Sequence, residues 1–297
     1  MIWISFVLIY SILKGLREIA KKKAMDKNSV MEVLVAYTLL SFVFVLPQAP
    51  KAGGLEAKFF VLIAIKSFAI FLAWICGFNS LKKLPVSLYG IIDLSRVLFA
   101  TSFGVFILGE HLGFLQILSL GIVCTGLLLL KFRPPFLQKK NEESQVSPTL
   151  QAESGTRTHI YVILSLASCL LNAFSGFLDK VLMKDISSSQ LQFWYMLFLC
   201  LYYALYMIAT RTKFSFSVWK NKWIWILAIM FIIGDKVLFI ANGIPESKVT
   251  IMTLIKQSSC LITILGGYFV FKEKDIAYKL FCATIVIAGI LLGMVRI

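Results

Sequence analysis

The sequence predicts an all-α polytopic membrane protein of ten transmembrane helices, built as two inverted five-helix repeats. Its composition, its ten apolar segments and its internal similarity all favour this fold class. The chain has 297 residues, of which 59% are apolar and 15% charged, and a mean hydropathy of +0.85. Soluble domains average about 45–50% apolar residues. Lipid, unlike water, accommodates helices that are apolar all round.

Ten segments have roughly the length that an apolar helix needs to cross a bilayer. The predicted spans are 2–20, 31–47, 59–80, 86–108, 112–131, 159–181, 190–210, 223–243, 249–271 and 276–296. Segment 132–158 is polar and rich in Pro and Ser, so it predicts a flexible linker. We therefore predict one five-helix repeat at 1–131 and a second at 159–297. The first segment lacks a basic n-region and a cleavage site, which indicates a retained helix rather than a signal peptide.

The two halves resemble each other in sequence. Residues 86–130 align without a gap on 249–293, at an offset of 163 positions. The matches include polar and small residues, namely Ser95/Ser258, Gly104/Gly267, Glu110/Glu273 and Gly126/Gly289. A weaker offset of 159 pairs Lys21/Lys180, Asp26/Asp185 and Ser29/Ser188. Because five is an odd number, two like-folded halves must insert in opposite orientations, as the inverted repeats of secondary transporters do.

The net charge of +15 comes mostly from Lys and Arg in short segments between apolar runs. In a membrane protein this pattern indicates topology and attraction to anionic headgroups rather than nucleic-acid binding. We expect membrane lipids as partners, no nucleic acid, and a multi-pass location in the cell (inner) membrane. Taken alone, the basic loops place both termini outside the cytoplasm.

Ionisable residues inside the predicted spans indicate where a site lies, since each costs about 2.5–3.5 kcal/mol at the centre of a lipid-facing helix. They are expected to face the bundle interior. Asp93 and Arg96 can form an ion pair on one helix, and Lys256 aligns with Asp93 in the repeat. The candidate solute-binding residues are Lys14, Lys66, Asp93, Arg96, Asn172, Asp179, Asp235, Asn242 and Lys256.

Blander interpretations of these residues stay open. Lys14 and Lys66 could snorkel to an interface, and Asn172 and Asn242 could only join helices by hydrogen bonds. Gly289 and Gly293 form a GxxxG pattern that predicts close helix packing, within the chain ahead of a dimer contact. Monomer and homodimer both stay open.

The sequence carries no enzyme signature. The motifs GxSxG, HExxH, GxxxxGK[ST] and GxGxxG do not occur, so neither hydrolysis nor ATP use is indicated. The six cysteines lie in apolar runs without a CxxC pair, which favours packing over metal binding or disulfides. We predict no cofactor, no metal and no catalytic residue, with an intramembrane enzyme using a carboxylate pair as the remaining alternative.

Segment 79–130 resembles the signature of the EamA family of the drug/metabolite transporter superfamily. The resemblance rests on a polar end of the third span, a fourth span rich in small residues, and Gly109-Glu110 before the fifth. Segment 242–293 is similar, with Lys272-Glu273 in place of Gly-Glu. The family often has a proline in the middle of the fourth and ninth helices, where this chain has Val97 and Cys260.

The resemblance implies a central cavity framed by helices 1, 3, 4, 6, 8 and 9, with helices 5 and 10 at the periphery. It implies secondary transport by exchange or ion coupling. It also implies cytoplasmic termini, against the distribution of basic loops, so the orientation stays open.

We therefore expect a secondary transporter that moves a small polar metabolite across the membrane by alternating access. The solute would be amino-acid-like, charged or zwitterionic, with a proton or counter-ion as a further candidate partner. Organic anions, including phosphorylated ones, are a narrower variant. Proton-coupled efflux of drugs or organic ions is an alternative, for which Trp74, Tyr89 and Phe239 would supply aromatic walls. A non-transporting scaffold or receptor is the alternative of a different class.

Overall fold

The computed structural model describes residues 2–109, 111, 113–131, 148–212, 214–273 and 276–294. Within these residues the chain forms helices and turns but no strand. The helices are α1 (Ile2–Ala24), α2 (Val30–Val45), α3 (Ala57–Lys83), α4 (Val86–Ile92), α5 (Arg96–Phe106), α6 (Phe114–Lys131), α7 (Pro148–Leu182), α8 (Ser188–Thr210), α9 (Lys222–Asn242), α10 (Val249–Lys256), α11 (Ser259–Phe271) and α12 (Ile276–Met294). The predicted all-α class is confirmed.

Seven stretches of the described chain are long and apolar enough to cross a membrane. They are Val30–Lys51, Ala57–Lys83, Val86–Phe106, His159–Leu182, Ser188–Thr210, Lys222–Asn242 and Ile251–Phe271. Helix α1 is not among them because Lys14, Arg17 and Glu18 interrupt its apolar length. Helices α6 and α12 offer only shorter apolar lengths. The count of ten spans and the inverted relation of the halves stay predictions.

The fourth and ninth predicted spans are interrupted helices, although the sequence predicted each as continuous. A 3-10 turn at Asp93–Ser95 separates α4 from α5. Helix α10 ends at Lys256 and α11 begins at Ser259. The two interruptions lie at the same place under the offset of 163. Neither contains a proline, and the backbone hydrogen bonds shorten to i→i+3 around Gln257.

Side chains of other helices bind the interrupted backbone. The Ser11 hydroxyl on α1 donates to the Lys256 carbonyl at 3.3 Å and lies 2.7 Å from the Ser258 hydroxyl. The Cys169 thiol on α7 lies 3.7 Å from the Ile92 carbonyl. A backbone carbonyl without a partner is costly in lipid, so these contacts stabilise both interruptions. Cys169 is therefore more than a packing residue.

Small residues let α1 pack closely at the centre of the bundle. A Cβ atom at Gly15 would lie 2.6 Å from the Ile262 Cβ on α11, which is too close for any larger residue. Besides α11, helix α1 also packs against α9. This central position places the charged face of α1 towards the remaining helices.

Helices α6 and α12 pack against each other. Gly289 and Gly293 of α12 approach Ser119 of α6, where a Cβ on Gly293 would lie 2.7 Å from the Ser119 hydroxyl. The GxxxG pattern therefore serves a contact within the chain, as predicted.

Helices α2 and α8 begin with the same kind of N-terminal cap. Ser29 caps α2 in a box with Glu32, and Ser187 caps α8 in a box with Gln190. The capping serines are 158 positions apart, one position less than the offset of 159 that pairs Ser29 with Ser188, and that pairing stays a prediction.

Helix α7 begins inside the segment predicted as a linker. Residues 148–158 are helical, whereas 132–147 lie outside the described residues. Pro148 is the first helical residue, a position where the fixed φ of proline is favourable. The helix therefore covers the last eleven residues, 148–158, of the segment predicted as a linker.

Glu273 joins the α11–α12 loop to the start of α4. Its carboxylate accepts the backbone N–H of Val86 at 2.7 Å and that of Ser87 at 3.2 Å, and also the Ser87 hydroxyl. Partial burial alone would raise the pKa of this carboxyl, but the Ser87 and Val86 hydrogen bonds and the Lys279 ammonium hold its pKa below the usual range. Glu110, its partner in the repeat alignment, lies outside the described residues.

We predict that Glu273→Gln lowers the stability of the full-length protein in detergent by about 1 kcal/mol, as loss of a helix cap does. Because the folded-state pKa of Glu273 is lowered, its contribution is present above pH about 4.3 and is lost as the pH falls further. Thermal unfolding at pH 7 and below pH 4 measures this difference. Glu56→Gln is the matched control, since Glu56 makes only an exposed pair with Lys58. Equal melting temperatures for the two variants at pH 7 would contradict the cap.

Candidate functional site

A cavity of about 100 Å³ lies between the helices, with its walls supplied by α1–α5 and α7–α10. Eight predicted site residues line it, namely Lys14, Lys66, Arg96, Asn172, Asp179, Asp235, Asn242 and Lys256. The ninth, Asp93, lies behind the wall and holds two of the lining cations. The predicted residues are therefore gathered at one place, although their role in binding a solute is a separate matter.

Asp93 links α1 to the interruption between α4 and α5. Its two carboxylate oxygens bind different cations, the Lys14 ammonium at 2.5 Å and the Arg96 guanidinium at 2.6 Å. Lys14 also donates to the Gln257 side chain at 3.3 Å. The predicted Asp93–Arg96 pair thus exists, but the aspartate is shared with a second helix.

Lys66 of α3 and Asp179 of α7 form the most buried ion pair described. Their charged atoms are 3.1 Å apart, and the side chains are 2% and 7% exposed. The Lys66 ammonium also lies 3.6 Å above the ring of Tyr195. An ammonium so deep in the bundle cannot snorkel to the surface, so that interpretation of Lys66 is wrong.

Arg17, Glu18 and Lys21 also line the cavity, although they were not among the predicted site residues. Arg17 lies 3.4 Å from Asp235 of α9 and donates to the Tyr10 hydroxyl at 3.2 Å. Lys21 and Glu18 are 2.7 Å apart. They follow Lys14 by three, four and seven residues, and this spacing was the signal that could have identified them, since such residues share one helix face.

Lys256 differs from the other lining cations. Across the described chain, its ammonium has no carboxylate within 4.0 Å and no hydrogen-bond acceptor. It lies 5.8 Å from the centroid of the Tyr10 ring. Among the described residues, the site therefore contains one cation without a directly paired carboxylate.

The two asparagines behave differently. The Asn172 amide donates to the Ser168 carbonyl of its own helix at 2.7 Å, so it does not join two helices. Asn242 is 3% exposed, and its amide nitrogen has no partner among the described residues. An unpartnered buried donor is costly, and this one belongs to a residue of the cavity wall.

Aromatic rings form much of the remaining wall. Tyr10, Tyr37, Trp74, Tyr89, Tyr195 and Phe239 line the cavity. Some of these rings lie beside cations; for example, the Arg17 guanidinium lies 5.2 Å from the centroid of the Tyr10 ring. Such contacts hold cations in place without neutralising them. Within the described residues no group of three His, Cys, Asp or Glu side chains could hold a metal ion.

The EamA-like transporter family model matches residues 1–132 and 159–295. The chain belongs to this family, and so to the drug/metabolite transporter superfamily. It is accordingly a multi-pass membrane transporter, and its family is one of transporters rather than enzymes. No curated protein matches it.

A solved crystal structure is similar to this chain, with a TM-score of 0.67 and 13% identity. The aligned region covers 100% of this chain and 98% of the chain in that structure. At that identity the likeness concerns the fold alone.

We predict that Lys66→Met destabilises the protein in detergent by about 3–5 kcal/mol, because it leaves the Asp179 carboxylate buried and unpaired. The double variant Lys66→Met with Asp179→Asn should recover most of the loss, since it removes both charges. Thermal unfolding of the three proteins measures the coupling. Lys58→Met, which breaks an exposed pair, is the control and should change stability by under about 1 kcal/mol. A Lys66→Met protein as stable as the control would contradict the assignment.

Proposed function

We propose that this transporter moves a small polar metabolite by alternating access, as a secondary transporter of the cell (inner) membrane. The observation that carries the proposal is the cavity itself, where buried charged side chains from both halves of the chain face a common space. Charged side chains inside a membrane bundle pair with one another and mark the pathways of solutes or ions.

The size of the cavity supports a metabolite over a drug. At about 100 Å³ it is well below the roughly 300–1,000 Å³ of pockets for drug-sized ligands. Charged groups of both signs fit a solute that carries a charge or is zwitterionic. Efflux of bulky apolar compounds receives less support, although the aromatic wall would suit it.

The interrupted helices support alternating access. The α4–α5 and α10–α11 interruptions fall at matching positions, and both flank the cavity through Arg96 and Lys256. Broken helices at the repeat interface are where secondary transporters place their solute sites. We infer that 1–131 and 159–297 act as the two inverted units, and that rocking of one against the other exposes the cavity alternately to each side.

A thermal-shift panel followed by exchange in proteoliposomes tests the function. Purified protein would be screened against amino acids, carboxylates, phosphate esters and amines, since a ligand of the folded state raises the melting temperature. Radiolabelled forms of the compounds that bind would then be loaded into proteoliposomes. We expect saturable exchange of at least one binder. A compound that binds but is never exchanged would favour the receptor alternative.

We predict that Asn242→Leu lowers the affinity for the transported solute about tenfold, the effect of losing one hydrogen bond. The same change removes a buried donor without a partner, so the melting temperature should hold or rise. The two readouts together separate a binding role from a structural one. A fall in the melting temperature with unchanged affinity would contradict a solute-binding role for Asn242.

A further inference from the structure

The charges around the cavity do not balance. Six cations line it, namely Lys14, Arg17, Lys21, Lys66, Arg96 and Lys256. Four carboxylates line or contact it, namely Glu18, Asp93, Asp179 and Asp235. Within the described part of the chain, two positive charges are therefore left over.

The excess is concentrated in one region. Three cations pair one to one with a carboxylate, namely Arg17 with Asp235, Lys21 with Glu18 and Lys66 with Asp179. Lys14 and Arg96 share the single charge of Asp93, and Lys256 has none. The excess lies at the two helix interruptions, where α10 packs against α5.

Hydrogen-bond donors without an acceptor also indicate that the cavity lacks negative charge. Among the described residues, the buried nitrogens without an acceptor are Arg17 Nε, Arg96 Nε, Asn242 Nδ2 and Gln257 Nε2. Gln257 directly follows Lys256, and the other three line the cavity. The corresponding carboxylate oxygens without a donor are only Glu18 Oε2 and Asp179 Oδ1, and the latter lies 3.1 Å from Lys66.

An excess of positive charge around a cavity inside an apolar bundle is costly unless a counter-charge enters. A bound anionic solute would supply the missing negative charge. Its attraction to the cations is strong because the dielectric constant inside the bundle is low. The guanidinium offers a directional donor to an oxyanion, and the ammonium acts as a point charge.

We propose that the solute is a small organic dianion, one of whose acidic groups binds between Lys256 and Arg96. The proposal rests on the transport function above and narrows its solute class. A dicarboxylate and a phosphate monoester share this chemistry. The Arg96 guanidinium and the Lys256 ammonium supply the donors, and Asn242 lies on the same cavity wall.

The test uses the full chain in proteoliposomes of phosphatidylcholine, a lipid without net charge that does not compete for an anion site. The probes are succinate, glycerol 3-phosphate, the neutral succinamide and the zwitterion alanine. We expect thermal stabilisation and exchange with at least one dianion, and neither with succinamide. Succinate against glycerol 3-phosphate decides between the two acidic groups.

Variants locate the site. Lys256→Gln should weaken affinity for the preferred dianion about ten- to hundredfold, the usual effect of losing a charge-assisted hydrogen bond. Lys256→Arg keeps the charge and should retain binding within about threefold, which guards against loss of fold. Lys236→Gln is the matched control, since the Lys236 ammonium binds Gln48 and Ser189 at 2.8 Å each, away from the cavity.

The outcomes separate this proposal from the transport function. Exchange of alanine but of neither dianion would overturn the dianion while leaving transport intact. Binding of a dianion that Lys256→Gln weakens, without exchange of any compound, would support the subsite and overturn transport. Equal affinity for a dianion in Lys256→Gln and wild type would overturn the subsite.

Discussion

A charged side chain in an apolar bundle needs an opposite charge, and this constraint organises the whole molecule. Asp93 ties α1 to the α4–α5 interruption, and Asp179 ties α7 to α3. Asp235 of α9 receives Arg17 from α1. Each pair joins helices distant in sequence, so the pairs fix which helices surround the cavity. Removing one partner leaves a buried charge, which is far more costly than removing both.

The cavity also depends on side chains that stabilise the backbone at the two helix interruptions. Their unpaired backbone groups would be costly in lipid, and side chains of α1 and α7 bind them instead. Ser11 serves one interruption and Cys169 the other, and these residues are 158 positions apart. The same offset relates the capping serines Ser29 and Ser187. The two halves therefore resemble each other in how they support the site as well as in sequence.

Much of the fold and of the site could be predicted from sequence, because one local pattern decides which way a side chain faces. Polar residues three and four apart on apolar helices share a face. That face is expected to point into the bundle because polar side chains are costly in lipid. This is why Asn172 and Asp179 were found without coordinates. The pairings could not be predicted, since Lys14 reaches Asp93 only through tertiary packing. Helix interruptions without proline gave no local signal, and Arg17 was missed because a charge near a helix end resembles a snorkelling one.

Access of water to the charge-lined cavity is tested most directly by the reactivity of single cysteines. In a variant without the six native cysteines, Asn172→Cys would lie on the cavity wall. Ile163→Cys, on the same helix, would replace a side chain that is 63% exposed on the outer surface of the bundle. A thiol ionises, and so reacts, only where water reaches it. We predict that a water-soluble methanethiosulfonate reagent labels the cysteine at 172 and not the one at 163 in membranes. Labelling at 163 with none at 172 would contradict a solvated, charge-lined chamber.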